Sequence, residues 1–366
     1  MNRKLVNLLK MIVLSLGLIA VVIAFGNKNE DKRDSQENPS YGFAMGTSIS
    51  VAIYDKDVDA EKLTNSINQE IKSLDENVIS WRAKDSELNR LNKSCGEANS
   101  YEPSEELYHI LSQSLALCKD SQGALDITIR PLASLWNIEG DSDDEFIPPT
   151  YQEINGALQQ VGYENINVLR ETYSDTTGET ITETHYVTFG KDNMLIDFGA
   201  TGKGYALDKV KAILEEENVD GALITVGGSI LVYGEKTDGS SWKVGVRDPN
   251  KPNDTSAMMG YIEFPTGTIS CISTSGGYEK FKSYEGKEYH HILDSKTGYP
   301  ADSGLLSVTV VCDNGLFSDG LSTACFVLGY EKSLPLLEKY KAEAIFMDTN
   351  GDIIVTDGLK DYWVEY

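Results

Sequence analysis

The stretch Asp319-Gly320-Leu321-Ser322-Thr323 holds one carboxylate and two hydroxyls within five residues. On a helix, Asp319 and Thr323 stand four apart and Ser322 three from Asp319, so all three project from one face. That is a hard, oxygen-only and incomplete ligand set, of the kind Mg²⁺ tolerates when a substrate phosphate supplies the remaining oxygens. The same residues also suit an ordinary helix start, with Thr323 bonded to its own backbone. Spacing alone leaves both readings open.

A second stretch, Asp197-Phe198-Gly199-Ala200-Thr201-Gly202-Lys203-Gly204, sets three glycines and a lysine between apolar runs. Such a turn brings bare backbone N–H groups and one positive charge to a phosphate. It departs from the Walker A loop, which needs four residues between its glycines and a Ser or Thr after the Lys. A tight turn closing a helix start is the competing reading. The pair His290-His291 lies in an extended stretch where neighbours point to opposite faces, so at most one meets a given site. A histidine near a phosphoryl centre takes a proton from an attacking hydroxyl, although many serve only as structural hydrogen-bonders. Thr274-Ser275-Gly276 reads as a polar turn, Gly227-Gly228 as a bulge or turn interrupting a strand, and Trp81 as a stacking surface or as core.

The elements that must position these groups follow from periodicity. Residues 45–54 alternate as a strand, and Leu63, Ile67, Ile71 and Leu74 mark one helix face. A helix follows Ser104, with Glu105 and Glu106 in its first turn and Leu107, Leu111, Ser114 and Cys118 along its stripe. Residues 126–136 form an apolar segment interrupted by Pro131, residues 138–149 an acidic loop, and residues 171–185 a polar stretch turning at Thr177-Gly178. A short strand over 195–198 leads into the glycine turn and a helix over 205–217 with Ala206, Val210, Ile213 and Leu214 inward. Strands are expected at 222–233, 242–247, 305–312 and 344–347, then a hairpin at Asn350-Gly351 leading into 353–356. Strands in runs with few long helices predict an α+β domain.

Bulk composition narrows the chemistry. The 366 residues with 40% hydrophobic content suffice for a sizeable core, and 57 acidic against 32 basic side chains give a net charge of −25. A nucleic-acid backbone is repelled by that field, so no nucleic-acid partner is expected, whereas a phosphate-bearing small molecule would need a divalent cation or a helix N-terminus. Cys95, Cys118, Cys271, Cys312 and Cys325 are odd in number, widely spaced and without a C-x-x-C pair, which predicts buried thiols. Arg3, Lys4 and Lys10 precede an uncharged, mostly apolar run over 11–25, the layout of a secretory signal peptide or short signal anchor over 1–26. A polar linker over 27–40 follows, and the remainder, 41–366, reads as one catalytic unit outside the cytoplasm, secreted or held at the membrane.

These motifs, taken in order, resemble the ApbE family of FAD:protein FMN transferases. The resemblance covers Met45-Gly46-Thr47, Ser80-Trp81 with residues 86–92, residues 124–128 with Pro131-Leu132 and Leu135-Trp136, and residues 197–208. It continues through Gly227-Gly228, Thr274-Ser275-Gly276, His291-Ile292-Leu293-Asp294 with Thr297-Gly298, and residues 319–323. It implies an ApbE-like, T-fold-like α+β fold with internal duplication, largely antiparallel sheets plus helices. It implies Mg²⁺ on Asp319 and Thr323, with Ser322 and the backbone carbonyl of Ala200 contributing. FAD contacts would fall on Met45, Trp81, Ala124, Leu125, Asp126, Asp197, Lys203 and Leu293, with His291 as candidate for proton transfer.

The implied reaction moves FMN from FAD to a Ser or Thr hydroxyl on an exported acceptor protein, releasing AMP. An FAD pyrophosphatase yielding FMN and AMP and a flavin-binding protein without catalysis are the alternatives. The chain departs from the family pattern at Ser295, where Pro is usual, at Gly202, where Ala is common, and at Arg130, where Gly often precedes the Pro. No cysteine follows the apolar run to accept a lipid. Residues 175–180 faintly resemble the threonine motif of flavin-accepting proteins, although a hairpin turn explains them better.

Overall fold

A computed structural model describes residues 39–96, 100–140, 146–174 and 181–366. The apolar run over 11–25, nearly all of the polar linker and the expected Thr177-Gly178 turn lie outside them. The strands are β1 (Ser40–Ala44), β2 (Thr47–Ile53), β3 (Ile166–Ser174), β4 (Ile181–Phe189), β5 (Gly221–Val226), β6 (Ser229–Gly234), β7 (Trp242–Arg247) and β8 (Met258–Phe264). Then come β9 (Ser270–Gly276), β10 (Phe281–Tyr284), β11 (Lys287–His290), β12 (Leu305–Cys312), β13 (Glu343–Asp348), β14 (Ile353–Val355) and β15 (Trp363–Glu365). The helices are α1 (Ala60–Ser73), α2 (Glu87–Lys93), α3 (Glu105–Asp120), α4 (Arg130–Trp136), α5 (Tyr151–Leu158), α6 (Gly202–Glu216), α7 (Gly315–Leu328) and α8 (Tyr330–Tyr340).

Eight strands form one antiparallel sheet in the order β1-β2-β5-β6-β9-β12-β13-β14. Both faces of this sheet are covered, and the period-two alternation of its strands sorts side chains between them. Val51, Ile224, Leu231, Cys271 and Phe346 enter the core beneath the helices, whereas their neighbours Ala52, Leu223, Val232, Ile272 and Ile345 enter the opposite one. That second core is closed by the three-stranded sheet β15-β8-β7, which contributes Trp242, Val244, Val246, Ile262 and Phe264. The architecture is therefore α+β, with helices on one face of the large sheet and a small antiparallel sheet on the other.

The helices form where their stripes and caps require. Leu63, Ile67 and Ile71 of α1 are buried, and Leu74 continues the stripe into a π-helical turn over Leu74–Ile79. The Ser104 hydroxyl accepts the Leu107 N–H at the start of α3, whose Leu107, Leu111, Ser114 and Cys118 are buried. Pro131 opens α4 instead of interrupting it, because a proline in the first turn forfeits no helical bond. All five cysteines are free thiols, and all but Cys95 are buried.

Several expected elements take a different form. Residues 45–54 are not one strand: Ala44 pairs with Thr47, and Met45 and Gly46 form a two-residue turn with φ of 55° and 71°. Residues 222–233 are a hairpin turning at Gly227-Gly228, with Val226 opposite Ser229. Thr274-Ser275-Gly276 is the end of β9, paired with Thr309, Val308 and Ser307 of β12. Residues 195–198 join no sheet. Their backbone is held by Asn92, whose side-chain amide donates to the Ile196 carbonyl (2.9 Å) and accepts from the Ile196 N–H (2.8 Å), while the Asp197 N–H donates to the Ile127 carbonyl. One buried asparagine here replaces a neighbouring strand.

The helices α6 and α7 meet at backbone contact. A Cβ on Gly204 would lie 1.9 Å from the Gly315 carbonyl oxygen, and one on Gly315 would lie 2.2 Å from the Gly204 oxygen. Gly204→Ala is expected to destabilise the protein by about 3 kcal/mol through overpacking and to lower the midpoint of calorimetric unfolding by roughly 4–5 °C. Asn92→Ala, which leaves two buried backbone groups of Ile196 unpaired, should lower the stability measured by urea unfolding by about 2–4 kcal/mol.

Candidate active site

The contact between α6 and α7 brings two helix N-termini together, and each is capped by a carboxylate from the other helix. Asp319 of α7 accepts the Gly204 N–H of α6 through Oδ2 (3.1 Å). Asp208 of α6 accepts the Gly315 N–H (2.6 Å) and the Leu316 N–H (2.8 Å) of α7. Burial pushes the Asp208 carboxyl above its usual pKa, against the pull of those two N–H groups. Because α7 starts at Gly315 with Asn314 as its cap, Asp319 lies in its second turn. The helix-start reading of Asp319 and Thr323 is thereby replaced: the carboxylate caps a neighbouring helix.

Asp319 is buried and has three further contacts. The Lys203 ammonium sits 3.2 Å from its Oδ1 and 3.3 Å from its Oδ2, and Ser229 Oγ donates to Oδ1 (3.3 Å). Burial alone would lower the Lys203 pKa, but the Asp319 charge outweighs it and the ammonium is held above the ordinary lysine value. Lys203 also donates to the Gly199 carbonyl (3.2 Å), which ties the glycine turn to the carboxylate. Ser273 Oγ donates to Ser229 Oγ (3.0 Å), extending the hydroxyl chain across the paired strands β6 and β9. One turn along α7, Ser322 and Thr323 share Ser275 of β9, at 2.8 and 3.1 Å between hydroxyl oxygens. Asp319, Ser322 and Thr323 thus share one oxygen-rich surface with Ser275, a residue that a reading as a turn did not place there.

The glycine turn begins with Asp197, whose Oδ1 accepts the Gly199 N–H (2.8 Å) and whose Oδ2 faces the Arg130 guanidinium (3.4 Å). Burial raises the Asp197 carboxyl despite Arg130. Ala200 occupies the turn directly before α6. Met45, at the tip of the β1–β2 hairpin, donates its N–H to Asp75 Oδ2 (2.6 Å), which holds it in its left-handed conformation. Its methyl lies against Gly202, where a Cβ would come within 3.4 Å of Met45 Cε. Trp81 packs half-buried against the main core, with Arg130 Cζ 3.2 Å and Arg82 Cζ 4.0 Å from its ring centroid. Met45, Trp81, Asp197, Lys203 and Asp319 are therefore joined through Arg130, the glycine turn and Gly202.

The loop over 124–126 plays a more internal part. Asp126 Oδ1 accepts from both the N–H (2.8 Å) and the hydroxyl (2.6 Å) of Thr128, and Oδ2 accepts the Tyr163 N–H (3.1 Å). Burial raises its pKa, and the carboxylate is a hub for its own loop. Leu125 packs beside Gly320, where a Cβ would meet Leu125 Cδ2 at 3.4 Å, and Ala124 is buried. Leu293 is buried in a satellite core with Leu132 and Trp136. Its loop is tied to residue 123 by Ser295, whose hydroxyl donates to the Gly123 carbonyl (2.7 Å).

The two histidines divide as their alternation requires. His290 Nε2 donates to the Ala301 carbonyl (3.0 Å), and its buried Nδ1 meets no hydrogen-bond partner among the described residues, so this ring is spent on the fold. His291 Nδ1 faces the Lys280 carbonyl (3.2 Å). A carbonyl only accepts, so in the neutral ring Nδ1 carries the hydrogen and Nε2 keeps its lone pair. Burial and the Lys280 charge lower the His291 pKa to about 4, against the pull of Glu139. Glu139 in turn bridges Lys280 (2.7 Å) and Arg82 (3.2 Å), linking the histidine to the Trp81 side of the site. The sequence singles out Arg130 as a departure from the family pattern, whereas Arg82, Glu139 and Lys280 carry no local signal because their partners lie 57 and 141 residues apart.

Among the described residues no group of three His, Cys, Asp or Glu side chains converges as a metal site. A cation at Asp319 would take its other ligands from hydroxyls, backbone carbonyls and a substrate, which is the chemistry of Mg²⁺ and not of zinc.

The comparisons with known proteins give the family of the chain. The pattern of the ApbE family matches residues 45–346. The FAD:protein FMN transferase of Treponema pallidum is 30% identical over 330 residues, covering 87% of this chain and 86% of that protein. The enzyme of the same name from Haemophilus influenzae is 28% identical over 328 residues, 88% of this chain and 89% of its own. The crystal structure of the ApbE protein from Thermotoga maritima superposes with a TM-score of 0.75 at 28% identity, covering 89% of this chain and 99% of that one. A family pattern that runs through every part of the site, together with relatives matched over most of their length, places this chain in the ApbE family.

Proposed function

We propose that the protein transfers the FMN half of FAD to a Ser or Thr hydroxyl of an acceptor protein and releases AMP. The observation that carries this reading is the meeting of the α6 and α7 N-termini around Asp319, with Lys203 and the Ser275, Ser322 and Thr323 hydroxyls beside it. With both helix ends capped by carboxylates and the Lys203 ammonium paired with Asp319, a chain of net charge −25 needs a divalent cation to bring linked phosphates here. The hard-oxygen donor set of Asp319, Ser322 and Thr323, with the Ala200 carbonyl from the adjacent turn, fits Mg²⁺, which when bound would neutralise pyrophosphate charge.

The residues of the chain divide the remaining work. Trp81 offers a surface for a flat ring, Met45 and Gly202 wall the approach to α6, and Asp197 keeps the glycine turn in shape. The acceptor oxygen attacks the FMN phosphorus, the bond from that phosphorus to the bridging oxygen breaks, and the AMP phosphate leaves with that oxygen. The hydroxyl proton passes to a base, for which His291 Nε2 is the candidate. The N-terminal layout supports an acceptor outside the cytoplasm and a chain secreted or tethered to the membrane.

Incubation of the protein with FAD, Mg²⁺ and an acceptor protein, read by intact mass, is expected to show the acceptor gaining one FMN phosphoryl group and AMP appearing in equal amount. Free FMN with AMP would mark a pyrophosphatase, and unchanged FAD a binding protein; either overturns the transfer reading. Asp319→Asn, which removes the charge that holds Lys203 and caps α6, should lower the transfer rate by about 10²-fold or more.

The His291 assignment carries its own pH test. A base works in its neutral form, and His291 becomes charged only as pH falls through about 4. Transfer should therefore lack a histidine limb near pH 6.5. Lys280→Met, by removing a neighbouring positive charge, should raise the His291 pKa toward the ordinary value and shift the acid limb upward with it. The limb is read from transfer rates at saturating FAD, and the ring itself from its proton NMR titration.

A further inference from the structure

His291 lies at the foot of the ribbon formed by β10 and β11, and that ribbon has little support of its own. Among the described residues β10 and β11 pair only with each other, apart from the eight-stranded sheet. A two-stranded hairpin is marginal in water unless something packs against it. Tyr289 of β11 meets Trp136, with ring centroids 5.5 Å apart, which braces one strand. Just below the last ladder pair, the Lys280 carbonyl accepts the His291 N–H (3.1 Å) and faces the ring Nδ1 (3.2 Å). The imidazole therefore takes its direction from Lys280.

The Lys280 side chain leaves the ribbon and ends on Glu139, in the turn after α4, at 2.7 Å from Oε1. The other oxygen of the same carboxylate, Oε2, meets the Arg82 guanidinium at 3.2 Å. Arg82 directly follows Trp81, and their turn is fastened independently. Asn89 donates to the Trp81 carbonyl (2.9 Å), and Ser80 Oγ accepts the Arg82 N–H (3.3 Å). The charged and titratable groups around the His291 ring are Lys280 and His290 on its own ribbon and Glu139 from the facing turn. One carboxylate, with each oxygen on a different cation, joins a fastened turn to a lightly held ribbon. Without it the two cations would repel.

We propose that Glu139 is a positioning residue for the transfer reaction, a two-armed clamp that ties the ribbon carrying His291 to the turn carrying Trp81. It acts through Lys280, and no contact with the substrate is required of it. This inference rests on the reading of FAD as substrate and of His291 as the base.

An exposed ion pair adds little stability, so Glu139→Gln should leave the unfolding midpoint within about 2 °C. A misplacement of about 1 Å at a reacting centre costs up to about 10²-fold in rate, so the same variant should lower kcat for FMN transfer by about tenfold. The rate is measured at saturating FAD and Mg²⁺ and at about pH 7.5, where the His291 ring is neutral. The FAD Kd, titrated in EDTA, should change by less than about twofold, because the Trp81 turn keeps its own bonds. Arg82→Gln and Lys280→Met each open one arm and should give a similar fall in kcat. Any two of the three substitutions together should fall no further than one, since a clamp opened once is open. Glu139→Asp, which keeps the charge on a shorter stem, should lie between the parent and Glu139→Gln.

The ring itself gives a readout that a merely stabilising role would not move. In the free protein, nitrogen NMR of labelled histidine should show His291 with its hydrogen on Nδ1 and a bare Nε2. In Glu139→Gln the two tautomers should interchange, and the two nitrogen signals should move toward each other. An unchanged ring signal in that variant, or double variants whose losses multiply, would overturn the proposal. An unsubstituted protein that transfers no FMN would instead overturn the function reading, and His291→Gln at the parent rate the base assignment. In either case the ring signal alone decides the clamp.

Discussion

The site depends on a reciprocal contact between two helices. The backbones of Gly204 and Gly315 touch, and across that contact Asp319 caps α6 while Asp208 caps α7. Two helix N-termini brought this close repel through their dipoles, and each exposes N–H groups that have no partner within the helix. A carboxylate from the opposite helix answers both problems at once. The arrangement requires glycine at the contact, an acid one turn beyond it on each helix, and burial deep enough to make the bonds strong. With those fixed, the position of every hydroxyl on α7 relative to Lys203 and the glycine turn follows.

The same contact explains how a strongly acidic chain gathers positive charge where linked phosphates would sit. Lys203, Arg130, Arg82 and Lys280 are each held by an acid, namely Asp319, Asp197 and Glu139. None of these cations is buried without a carboxylate partner in the absence of ligand. Arg82 and Lys280 share the single carboxylate of Glu139, whereas Lys203 directs its three hydrogens at both oxygens of Asp319 and the Gly199 carbonyl. Lys203, bridging both oxygens of Asp319, occupies the region where a divalent ion on that carboxylate would compete with it.

Much of this was legible in the sequence, and the limits of legibility have physical causes. Strands over 242–247 and 305–312 and the buried stripes of α1 and α3 follow from periodicity, which depends only on near neighbours. The segment over 195–198 reads as a strand because it is extended and apolar, yet its partner is the side chain of Asn92, about a hundred residues away. Met45 reads as strand because the residues after it alternate, yet its backbone is in a left-handed turn bonded to Asp75, which no local pattern signals. Asp319, Ser322 and Thr323 were placed on one helix face by spacing alone. That Ser275, Ser229 and Ser273 join them is a matter of strand register, which the helix pattern cannot carry.

Two departures from the family pattern gain a physical account once the loops are seen together. Arg130 stands where glycine is usual, and it spans from the face of Trp81 to the carboxylate of Asp197, joining two parts of the site that have no backbone in common. Ser295 stands where proline is usual, and its hydroxyl donates to the Gly123 carbonyl, a bond proline has no group to make. The two substitutions bracket the same loop: Gly123 precedes Ala124, Leu125 and Asp126, and Arg130 follows at the start of α4. Glycine before Pro131 would leave that loop's exit without a side-chain anchor, and proline at 295 would leave its entry without one. This chain therefore holds by side-chain bonds at both ends a loop whose own centre is already fixed by Asp126, Thr128 and the Tyr163 N–H. A loop pinned at three points sets Leu125 against Gly320, the neighbour of Asp319 in α7.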